Sequence, residues 1–370
     1  MKSLKNAALK NKRAIIRLDL DVPRDSKGNV TDNSRLREAL PTLKLLSKAK
    51  QIILMGHSGR PESPDKTLST DKITLCLEKL LKTKIKHLKE SITKIPKDKW
   101  IMLENLRFHP EEQENDLKFA KKLASYADIY VNESFATAHR DAASITGITR
   151  FISSYPGLHL EQEVKKITAI TKNMKKPFIL VLGGAKLDKM KILQNLVKKA
   201  DAVLIGGAMM FTFMKALGME TGKSKISEEE IPLAKKILNE AGRKIMLPID
   251  TVLDNKKTAG IERIPPENSG YDIGEETAQI YAEILKKAGT IIWNGPMGLF
   301  EKGFAQGNNA VAKAIISSKA KSLIGGGDTT ASAKKYLRKF TYYTTAGGAF
   351  LELIAGKKLA GINALNHRNT

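Results

Sequence analysis

The sequence predicts a parallel α/β protein with two domains, on the basis of three observations. The chain has 370 residues, about twice the usual size of one domain. Short apolar runs alternate with helical patterns along the chain, which is typical of β-α-β units. Residues 1–150 hold nine of the 13 arginines but only four of the 27 glycines. Because arginine suits small anions and glycine turns let the backbone approach a phosphate, the two parts are expected to bind different groups.

Each apolar run predicts a strand, and the patterns between the runs predict helices. The predicted strands span residues 14–18, 51–55, 100–103 and 129–131 in the first part, and 178–182, 202–205, 244–248, 290–293, 322–324 and 342–344 in the second. Apolar residues at helical spacing predict helices over 34–49, 117–126 and 276–288, among others. A further helical pattern over 160–171 is expected to join the two domains.

Arginine and histidine follow four of the predicted strands in the first part. These residues are Arg17 before Asp19 and Asp21, His57 before Arg60, Arg107, and His139 with Arg140. Ligands of an open parallel sheet bind at the carboxyl ends of its strands. One arginine at such an edge is more often part of a surface ion pair, whereas several at one edge favour a site for a small anion.

Glycines follow the strands of the second part. The strand ends lead to Gly183-Gly184-Ala185-Lys186, Gly206-Gly207, Asn294-Gly295-Pro296 and Gly325-Gly326-Gly327-Asp328. A helix that begins near Lys186 suits a phosphate, and Asp328 suits a Mg²⁺ ion that also binds phosphate oxygens. One such loop is often only a tight turn, but several at one sheet edge favour a nucleotide site.

The stretch 218–224 looks like a P-loop but does not fit one. It has three residues between its glycines, where a P-loop has four. It also follows a helical pattern, whereas a P-loop follows a strand. We therefore interpret it as a surface turn.

These motifs resemble those of the phosphoglycerate kinase family, in the family's order and from about residue 4 to residue 365. The matching segments are Arg17-Leu18-Asp19-Leu20-Asp21-Val22-Pro23, Arg35 with Ala39-Leu40-Pro41-Thr42, Gly59-Arg60-Pro61, Leu103-Glu104-Asn105-Leu106-Arg107-Phe108, Thr137-Ala138-His139-Arg140, Leu182-Gly183-Gly184-Ala185-Lys186, Trp293-Asn294-Gly295-Pro296-Met297-Gly298, Gly325-Gly326-Gly327-Asp328-Thr329 and Thr345-Ala346-Gly347-Gly348-Ala349. Any one segment is a weak signal, whereas the ordered set is specific.

The resemblance implies two Rossmann-like parallel α/β domains joined by a helix, with a C-terminal tail that returns to the N-terminal domain. The implied parts are a phosphoglycerate-binding domain over 1–156, an interdomain helix over 157–172, a nucleotide-binding domain over 173–350 and a tail over 351–370. The implied enzyme is a phosphotransferase with a carboxyl group as acceptor. It would transfer a phosphoryl group reversibly between 1,3-bisphosphoglycerate and MgADP, giving 3-phosphoglycerate and MgATP in glycolysis and gluconeogenesis. Domain closure is expected, with hinges near 158–171 and 344–352.

The resemblance also implies the site residues. The phosphoglycerate would be bound by Asp19, Leu20, Asp21, Arg35, His57, Ser58, Gly59, Arg60, Arg107 and Arg140. The nucleotide would be bound by Gly184, Lys186, Lys189, Gly206, Gly207, Asn294, Pro296, Glu301, Gly325, Gly326, Gly327, Asp328 and Thr329, with Glu301 on the ribose hydroxyls and Asp328 on the Mg²⁺. The catalytic groups would be Arg35, Lys186 and the backbone N–H groups of Gly347 and Gly348, because this chemistry needs positioning and charge neutralisation. His57 and His139 are as readily explained as structural histidines that brace an arginine.

The sequence departs from the family pattern beside the proposed substrate. Asp21 stands where asparagine is usual, and a second carboxylate repels an anionic substrate unless it pairs with Arg60 or Arg140. Glu133 stands where aspartate is usual. Ala346 replaces the first glycine of a triple, which requires a negative φ at that residue.

A fourth departure affects the nucleotide lysines. The segment after Lys186 is about one residue shorter than in the family, so the second nucleotide lysine is Lys189 or Lys191. Lys189 is expected because it follows an aspartate, as in the family.

The charge of the chain is the main feature that favours a different function. The 63 basic and 39 acidic residues give a net charge of +24, as in many nucleic-acid-binding proteins. The lysines are spread along the chain, however, without a basic tail, a zinc-finger spacing or interleaved aromatic residues. Nucleic acid is therefore not expected as the main partner. Two further hypotheses compete with the phosphoglycerate reaction: a kinase that acts on another small carboxylate, and a non-catalytic member of the family.

Composition also bears on location. No apolar run approaches the roughly 18 residues of a membrane helix, and the basic N-terminus has no apolar stretch typical of a secretory signal. The single cysteine, Cys76, excludes an intramolecular disulfide. A cytoplasmic monomer without a membrane partner is expected.

Overall fold

The computed structural model describes residues 2–91, 94–185 and 190–366. The chain divides into two compact units, one formed by Met1–Lys165 with Lys358–Thr370 and the other by Lys166–Lys357. In the described part of the chain, no helix is long and apolar enough to cross a membrane.

The first unit contains a six-stranded parallel sheet with the strand order β3-β4-β2-β1-β5-β6. The strands are β1 (Arg13–Arg17), β2 (Gln51–Met55), β3 (Lys86–His87), β4 (Trp100–Met102), β5 (Ile129–Asn132) and β6 (Ser153–Pro156). The helices are α1 (Ser34–Glu38), α2 (Leu40–Leu46), α3 (Asp71–Leu81), α4 (Pro110–Gln113) and α5 (Leu117–Ser125), and the next helix, α6 (Leu158–Lys172), begins in this unit and ends in the second. The central strands are buried almost throughout, because a parallel sheet is covered on both faces.

The second unit contains a six-stranded parallel sheet with the strand order β15-β14-β13-β7-β8-β9 and a three-stranded antiparallel sheet with the order β11-β10-β12. The strands are β7 (Phe178–Leu182), β8 (Ala202–Ile205), β9 (Ile245–Met246), β10 (Asp250–Leu253), β11 (Thr258–Gly260), β12 (Gly270–Ile273), β13 (Thr290–Asn294), β14 (Lys321–Gly325) and β15 (Tyr342–Thr344). The helices are α7 (Met190–Val197), α8 (Met209–Ala216), α9 (Ile231–Ala241), α10 (Glu275–Lys286), α11 (Gln306–Ser317), α12 (Gly327–Ser332) and α13 (Gly348–Ile354).

The last helix, α14 (Ala360–Ala364), belongs to the first unit. The N–H of Gly361 donates to the carbonyl oxygen of Ala138 at 2.8 Å. A Cβ at Gly361 would lie 2.7 Å from the side chain of Ile145. The tail therefore returns to the N-terminal unit, as predicted.

The predicted strands are confirmed, and the ends of several are the same to the residue. The prediction of one helix over 34–49 is wrong, because the segment forms α1 and α2 with a turn at Ala39. Pro41 lies at the start of α2. A proline has no N–H to donate and its ring crowds the carbonyl four residues earlier, so a helix through this position is interrupted. The strand predicted over 244–248 is only the two-residue β9.

The stretch 218–224 follows α8 rather than a strand, which confirms that it is not a P-loop. It is not wholly a surface turn, because Thr221 and Ser224 are buried. Ser224 Oγ accepts a hydrogen bond from the N–H of Gly270 at 2.9 Å. This turn therefore fixes the start of β12.

Candidate functional site

A buried arginine and histidine support the carboxyl edge of the first sheet. Arg17, at the end of β1, places Nη2 3.0 Å from Nδ1 of His57, and both side chains are buried. Burial and the charge of Arg17 lower the pKa of His57 well below its usual 6.5. The imidazole is therefore neutral, and Nδ1 accepts the hydrogen bond. His57 thus braces an arginine, which is one of the two roles the sequence left open.

Not all of the N–H groups of Arg17 have a hydrogen-bond acceptor among the described residues. Its Nε and Nη1 atoms are buried without a hydrogen-bond partner among the described residues. Glu112 Oε1 lies 4.0 Å from Nη1, within ion-pair distance. Burial raises the pKa of Glu112, and the charge of Arg17 opposes that rise. The strand-end pattern placed Arg17 at this edge, but the resemblance did not assign it to the substrate; a charged residue in a buried apolar strand was the signal for its role.

Arg35 is held by the loop that follows β1. Its Nη1 atom lies 3.3 Å from Asp19 Oδ2 and donates to the carbonyl oxygen of Asp21 at 2.7 Å. Burial raises the pKa of Asp19, while Arg35 opposes that rise. Asp21 Oδ1 in turn accepts from the N–H of Gly59 at 2.8 Å. These bonds join α1 and two strand-end loops into one arrangement.

The loop after β2 is fixed by the segment after β4. Asn105 Nδ2 donates to the carbonyl oxygen of Ser58 at 2.8 Å, and Arg107 Nη1 donates to that of Gly59 at 2.5 Å. Gly59 has a φ of +68°, and a Cβ there would lie 2.8 Å from the side chain of Leu68. Glycine is therefore required for this turn.

Four guanidinium groups converge on the edge of the first sheet. The charges of Arg17, Arg140, Arg35 and Arg60 all lower the pKa of His57, in that order, beyond the effect of burial. Burial followed by the charges of Arg60 and Arg17 lowers the pKa of Arg140, and Asp21 opposes this. Arg17, Arg60 and Arg140, which the strand ends predicted for this edge, thus act on the same imidazole as Arg35. Such an arrangement attracts an anion with several negative charges.

In the second unit, glycines let three strand-end loops approach one another. The N–H of Gly184 donates to the carbonyl oxygen of Pro296 at 2.7 Å, and that of Gly207 donates to Met297 at 2.9 Å. A Cβ at Gly207 would lie 2.3 Å from Gly184 N, and one at Gly295 would lie 2.0 Å from Gly183 O. The loops after β7, β8 and β13 therefore form one backbone layer with no room for side chains.

The loop after β14 is tied to the same layer. Asn294 Nδ2 donates to the carbonyl oxygen of Gly325 at 2.6 Å, and Thr329 Oγ1 accepts from the N–H of Gly295 at 2.7 Å. Gly326 has a φ of +107° and precedes α12. Asn294 Oδ1 is buried and lacks a hydrogen-bond partner among the described residues. It is an acceptor held at the edge where a ligand is expected.

Asp328 and the start of α13 lie beside these loops. Asp328 is exposed in the first turn of α12. An ideal Cβ on Gly347, at the start of α13, would be 3.9 Å from Gly326 Cα. The first N–H groups of a helix have no partner within it, so α12 and α13 both direct N–H donors near Gly326. Ala346, which replaces a family glycine, does not have a positive φ.

The residues present fit a nucleotide-bound Mg²⁺. No group of three or more His, Cys, Asp or Glu that could hold a metal occurs among the described residues. One exposed carboxylate beside helix N–H donors matches the usual binding of Mg²⁺, in which one or two carboxylates share the ion with phosphates.

Two predicted nucleotide residues, Lys186 and Lys189, lie outside the described residues. Glu301 is exposed in a short turn, Phe300–Lys302, and Pro296 is half-buried. The structure brings Gly184, Gly207, Asn294 and Gly325 to one sheet edge. Their roles toward a nucleotide stay a prediction.

Comparison with known proteins gives a consistent result. A family model described as phosphoglycerate kinase matches residues 4–357. The chain is 41% identical over 389 aligned positions to the phosphoglycerate kinase of Dictyoglomus turgidum, covering 99% of this chain and 98% of that protein. It is 40% identical to that of Koribacter versatilis, with 99% of each chain covered.

Solved structures agree with this result. The structure of phosphoglycerate kinase from Coxiella burnetii matches with a TM-score of 0.82 and 35% identity, covering all of both chains. The crystal structure of the Pyrococcus horikoshii enzyme matches with a TM-score of 0.87 and 32% identity, covering 99% of this chain and 98% of that one.

Proposed function

The chain belongs to the phosphoglycerate kinase family, and from this premise we propose which of its residues carry each part of the family's reaction. The protein is a phosphotransferase that moves a phosphoryl group between 1,3-bisphosphoglycerate and ADP, giving 3-phosphoglycerate and ATP in glycolysis. Its substrates are therefore a highly charged phosphorylated acid and a nucleotide. Two different binding surfaces are needed, one for each.

We propose that the phosphoglycerate binds at the arginine-rich edge of the first unit. The observation that carries this proposal is the convergence of Arg17, Arg35, Arg60 and Arg140 around a neutral His57. Buried guanidinium N–H groups without partners cost free energy, and an anionic substrate would reduce that cost. Neutral His57 adds no charge of its own and keeps the buried Arg17 oriented.

We propose that Arg35 acts on the transferred group. Its bonds to Asp19 and to the backbone of Asp21 hold the guanidinium at the edge of the sheet. Since the acceptor is a carboxylate or a phosphate oxygen, no proton must be removed, and the barrier falls through positioning and charge neutralisation. A fixed cation is more effective than a mobile one because it needs no reorganisation during transfer.

We propose that the nucleotide binds at the glycine layer of the second unit. Asn294 Oδ1 is available to accept from the nucleotide, and the N–H groups of Gly347 and Gly348 would meet phosphate oxygens. Mg²⁺ held by Asp328 would neutralise charge on the nucleotide phosphates. The phosphates of both substrates must meet for transfer, so closure of the two units around α6 is part of the proposal. A cytoplasmic location, with which the single cysteine is consistent, and a monomeric state are further parts of the proposal.

Two neighbouring arginines of α1 provide a matched test. Arg35 contacts the loop after β1, whereas Arg37 is exposed and donates to Asn33 Oδ1 at 2.9 Å. Replacing Arg35 by methionine is expected to lower kcat for 3-phosphoglycerate phosphorylation on the order of 10²-fold or more. Replacing Arg37 by methionine is expected to change kcat less than about twofold.

Equal effects of the two substitutions would contradict the role of Arg35. A rise in KM for ATP with an unchanged kcat in the Arg35→Met variant would also contradict it. Light scattering of the purified full chain tests the monomer separately, and a stable dimer would overturn that part alone.

A further inference from the structure

The segment that carries Glu301 is enclosed between two glycines that touch the same buried carboxyl group. This segment, residues 298–307, begins four residues after the end of β13 and includes the first two residues of α11. A Cβ at Gly298 would lie 2.2 Å from Asp272 Cγ, and one at Gly307 would lie 2.3 Å from Asp272 Oδ1. The two ends of the segment therefore pack directly against Asp272.

Hydrogen bonds add to these contacts. Asp272 lies on β12 and is 1% exposed. Its Oδ2 accepts from the N–H of Gly307 at 3.0 Å, and its Oδ1 accepts from the N–H of Ile273 at 2.9 Å. The carboxyl group thus caps the first turn of α11, a role that fixes where the segment ends.

The strand that carries Asp272 also supports the middle of the segment. The N–H of Leu299 donates to the carbonyl oxygen of Tyr271 at 2.8 Å. The ring of Tyr271 meets that of Phe304 edge-on, with centroids 5.0 Å apart, and Lys302 Nζ lies 5.2 Å from the centre of the Tyr271 ring. Glu301 is exposed, so its position is set by these backbone and ring contacts.

The proposed mechanism gives Asp272 no role, yet burying its carboxyl group costs free energy. Burial raises the pKa of Asp272 to about 7, although backbone N–H donors oppose the rise. We take the hydrogen bonds and contacts of Asp272 to show that it fixes a particular arrangement of the neighbouring groups.

We propose that Asp272 is a positioning residue that fixes the 298–307 segment and thereby places Glu301 against the ribose of the nucleotide. The inference rests on the proposed function, because it takes from it the role of Glu301 on the ribose hydroxyls. Asp272 itself touches neither substrate. Its effect is expected on nucleotide affinity and on recognition of the ribose, without an effect on phosphoglycerate.

Asp250 provides a matched control in the same antiparallel sheet. It is buried on β10, and its carboxyl oxygens accept from the N–H groups of Glu276 at 3.1 Å and Thr277 at 2.9 Å. A Cβ at Gly274 would lie 2.1 Å from Asp250 Cγ. Asp250 therefore caps α10 much as Asp272 caps α11, and its carboxyl contacts are with α10.

The experiment compares ADP with 2′,3′-dideoxy-ADP by calorimetry on the full chain. Wild-type protein and Asp250→Asn are expected to bind ADP at least tenfold more tightly than the dideoxy analogue. Asp272→Asn is expected to bind the two equally within about twofold and to leave KM for 3-phosphoglycerate unchanged. Gly298→Ala, which keeps the carboxylate but displaces the segment, is expected to lose the discrimination as well, and it replaces Asp272→Asn should that variant fail to fold.

The possible outcomes distinguish a failure of the positioning role of Asp272 from a failure of the ribose role of Glu301. If wild-type protein does not distinguish the two nucleotides, the ribose role of Glu301 is wrong and the inference falls with it. If wild-type protein distinguishes them and Asp272→Asn does so equally well, the role of Glu301 stands and the inference on Asp272 is overturned. Equal losses in Asp250→Asn and Asp272→Asn would reduce Asp272 to a general stabilising residue.

Discussion

Replacing Glu133 by glutamine will make the stability of the first unit less dependent on pH. Glu133 follows β5, where the family has aspartate, and its carboxyl group is buried at the start of α6. Its oxygens lie 3.4 Å from the N–H nitrogen of His159 and 3.5 Å from that of Leu160. A side-chain hydrogen bond with Thr42 and these two long bonds offset only part of the cost of burial. Burial consequently raises the pKa of Glu133 from its usual 4.5 to about 8.

The magnitude follows from linkage between proton binding and folding. Because the folded-state pKa is raised, the unfolded chain loses this proton first, so stability falls as pH rises from about 4.5 to about 8 and then levels off. Near pH 7 the slope from this one group is about −1 kcal/mol per pH unit, and the whole fall is at most about 5 kcal/mol. Glutamine has no such proton, so the slope of its stability against pH is expected to be less negative by about 1 kcal/mol per pH unit.

Urea unfolding between pH 6.5 and 7.5 measures this difference. The chain has two tryptophans, with Trp100 in the first unit and Trp293 in the second, so a Trp293→Phe background makes fluorescence report on the first unit. The exposed Glu111 of α4 supplies the control, and Glu111→Gln is expected to keep the original slope. If Glu133→Gln also keeps that slope, Glu133 is ionised in the folded protein and the reasoning is refuted.

Three further substitutions test the site. Asp21→Asn removes a negative charge beside the arginines. This variant is expected to have a KM for 3-phosphoglycerate about fivefold lower than wild-type protein, with KM for ATP unchanged. A higher KM for 3-phosphoglycerate would contradict this expectation. Gly326→Ala adds a Cβ at a residue whose φ is +107°, 3.0 Å from Asn294 Nδ2. The affinity for ADP, measured by calorimetry, is expected to fall at least tenfold. An unchanged affinity would contradict the assignment of the glycine layer as the nucleotide site. His57→Gln retains an acceptor for Arg17, and because the pKa of His57 is far below 6.5 the shape of the kcat/KM profile from pH 6 to 8 is expected to stay the same. Loss of an inflection in that profile would show that His57 titrates there.

The strands were predictable because a parallel sheet buries both of its faces. Such strands are nearly continuous apolar runs, and the predicted ends of β2, β7 and β8 are those of the structure. The strands β3 and β6 were missed because β3 has only two residues and β6 is rich in polar residues. The antiparallel sheet was also missed, because its strands are short and lack a continuous apolar run.

The site was predictable only in part. Strand ends predicted which side chains reach the edge of each sheet, because the carboxyl ends of parallel strands lie together. The contact between Arg17 and His57 joins residues 40 positions apart, and no local pattern specifies it. Asp272 belongs to none of the motifs recognised in the sequence. Its importance appears only where β12 meets Gly298 and Gly307.

Turnover of the wild-type protein with two related acids tests the central claim most directly. The assay is Mg²⁺- and ATP-dependent phosphorylation of 3-phosphoglycerate, coupled to reduction of the acyl phosphate, with glycerate as the acid that lacks the phosphate. Rapid turnover of 3-phosphoglycerate and none detectable with glycerate are expected, because the arginines of the first unit require the phosphate. Equal rates with both acids, or folded protein that binds ATP without turning over 3-phosphoglycerate, would contradict the account.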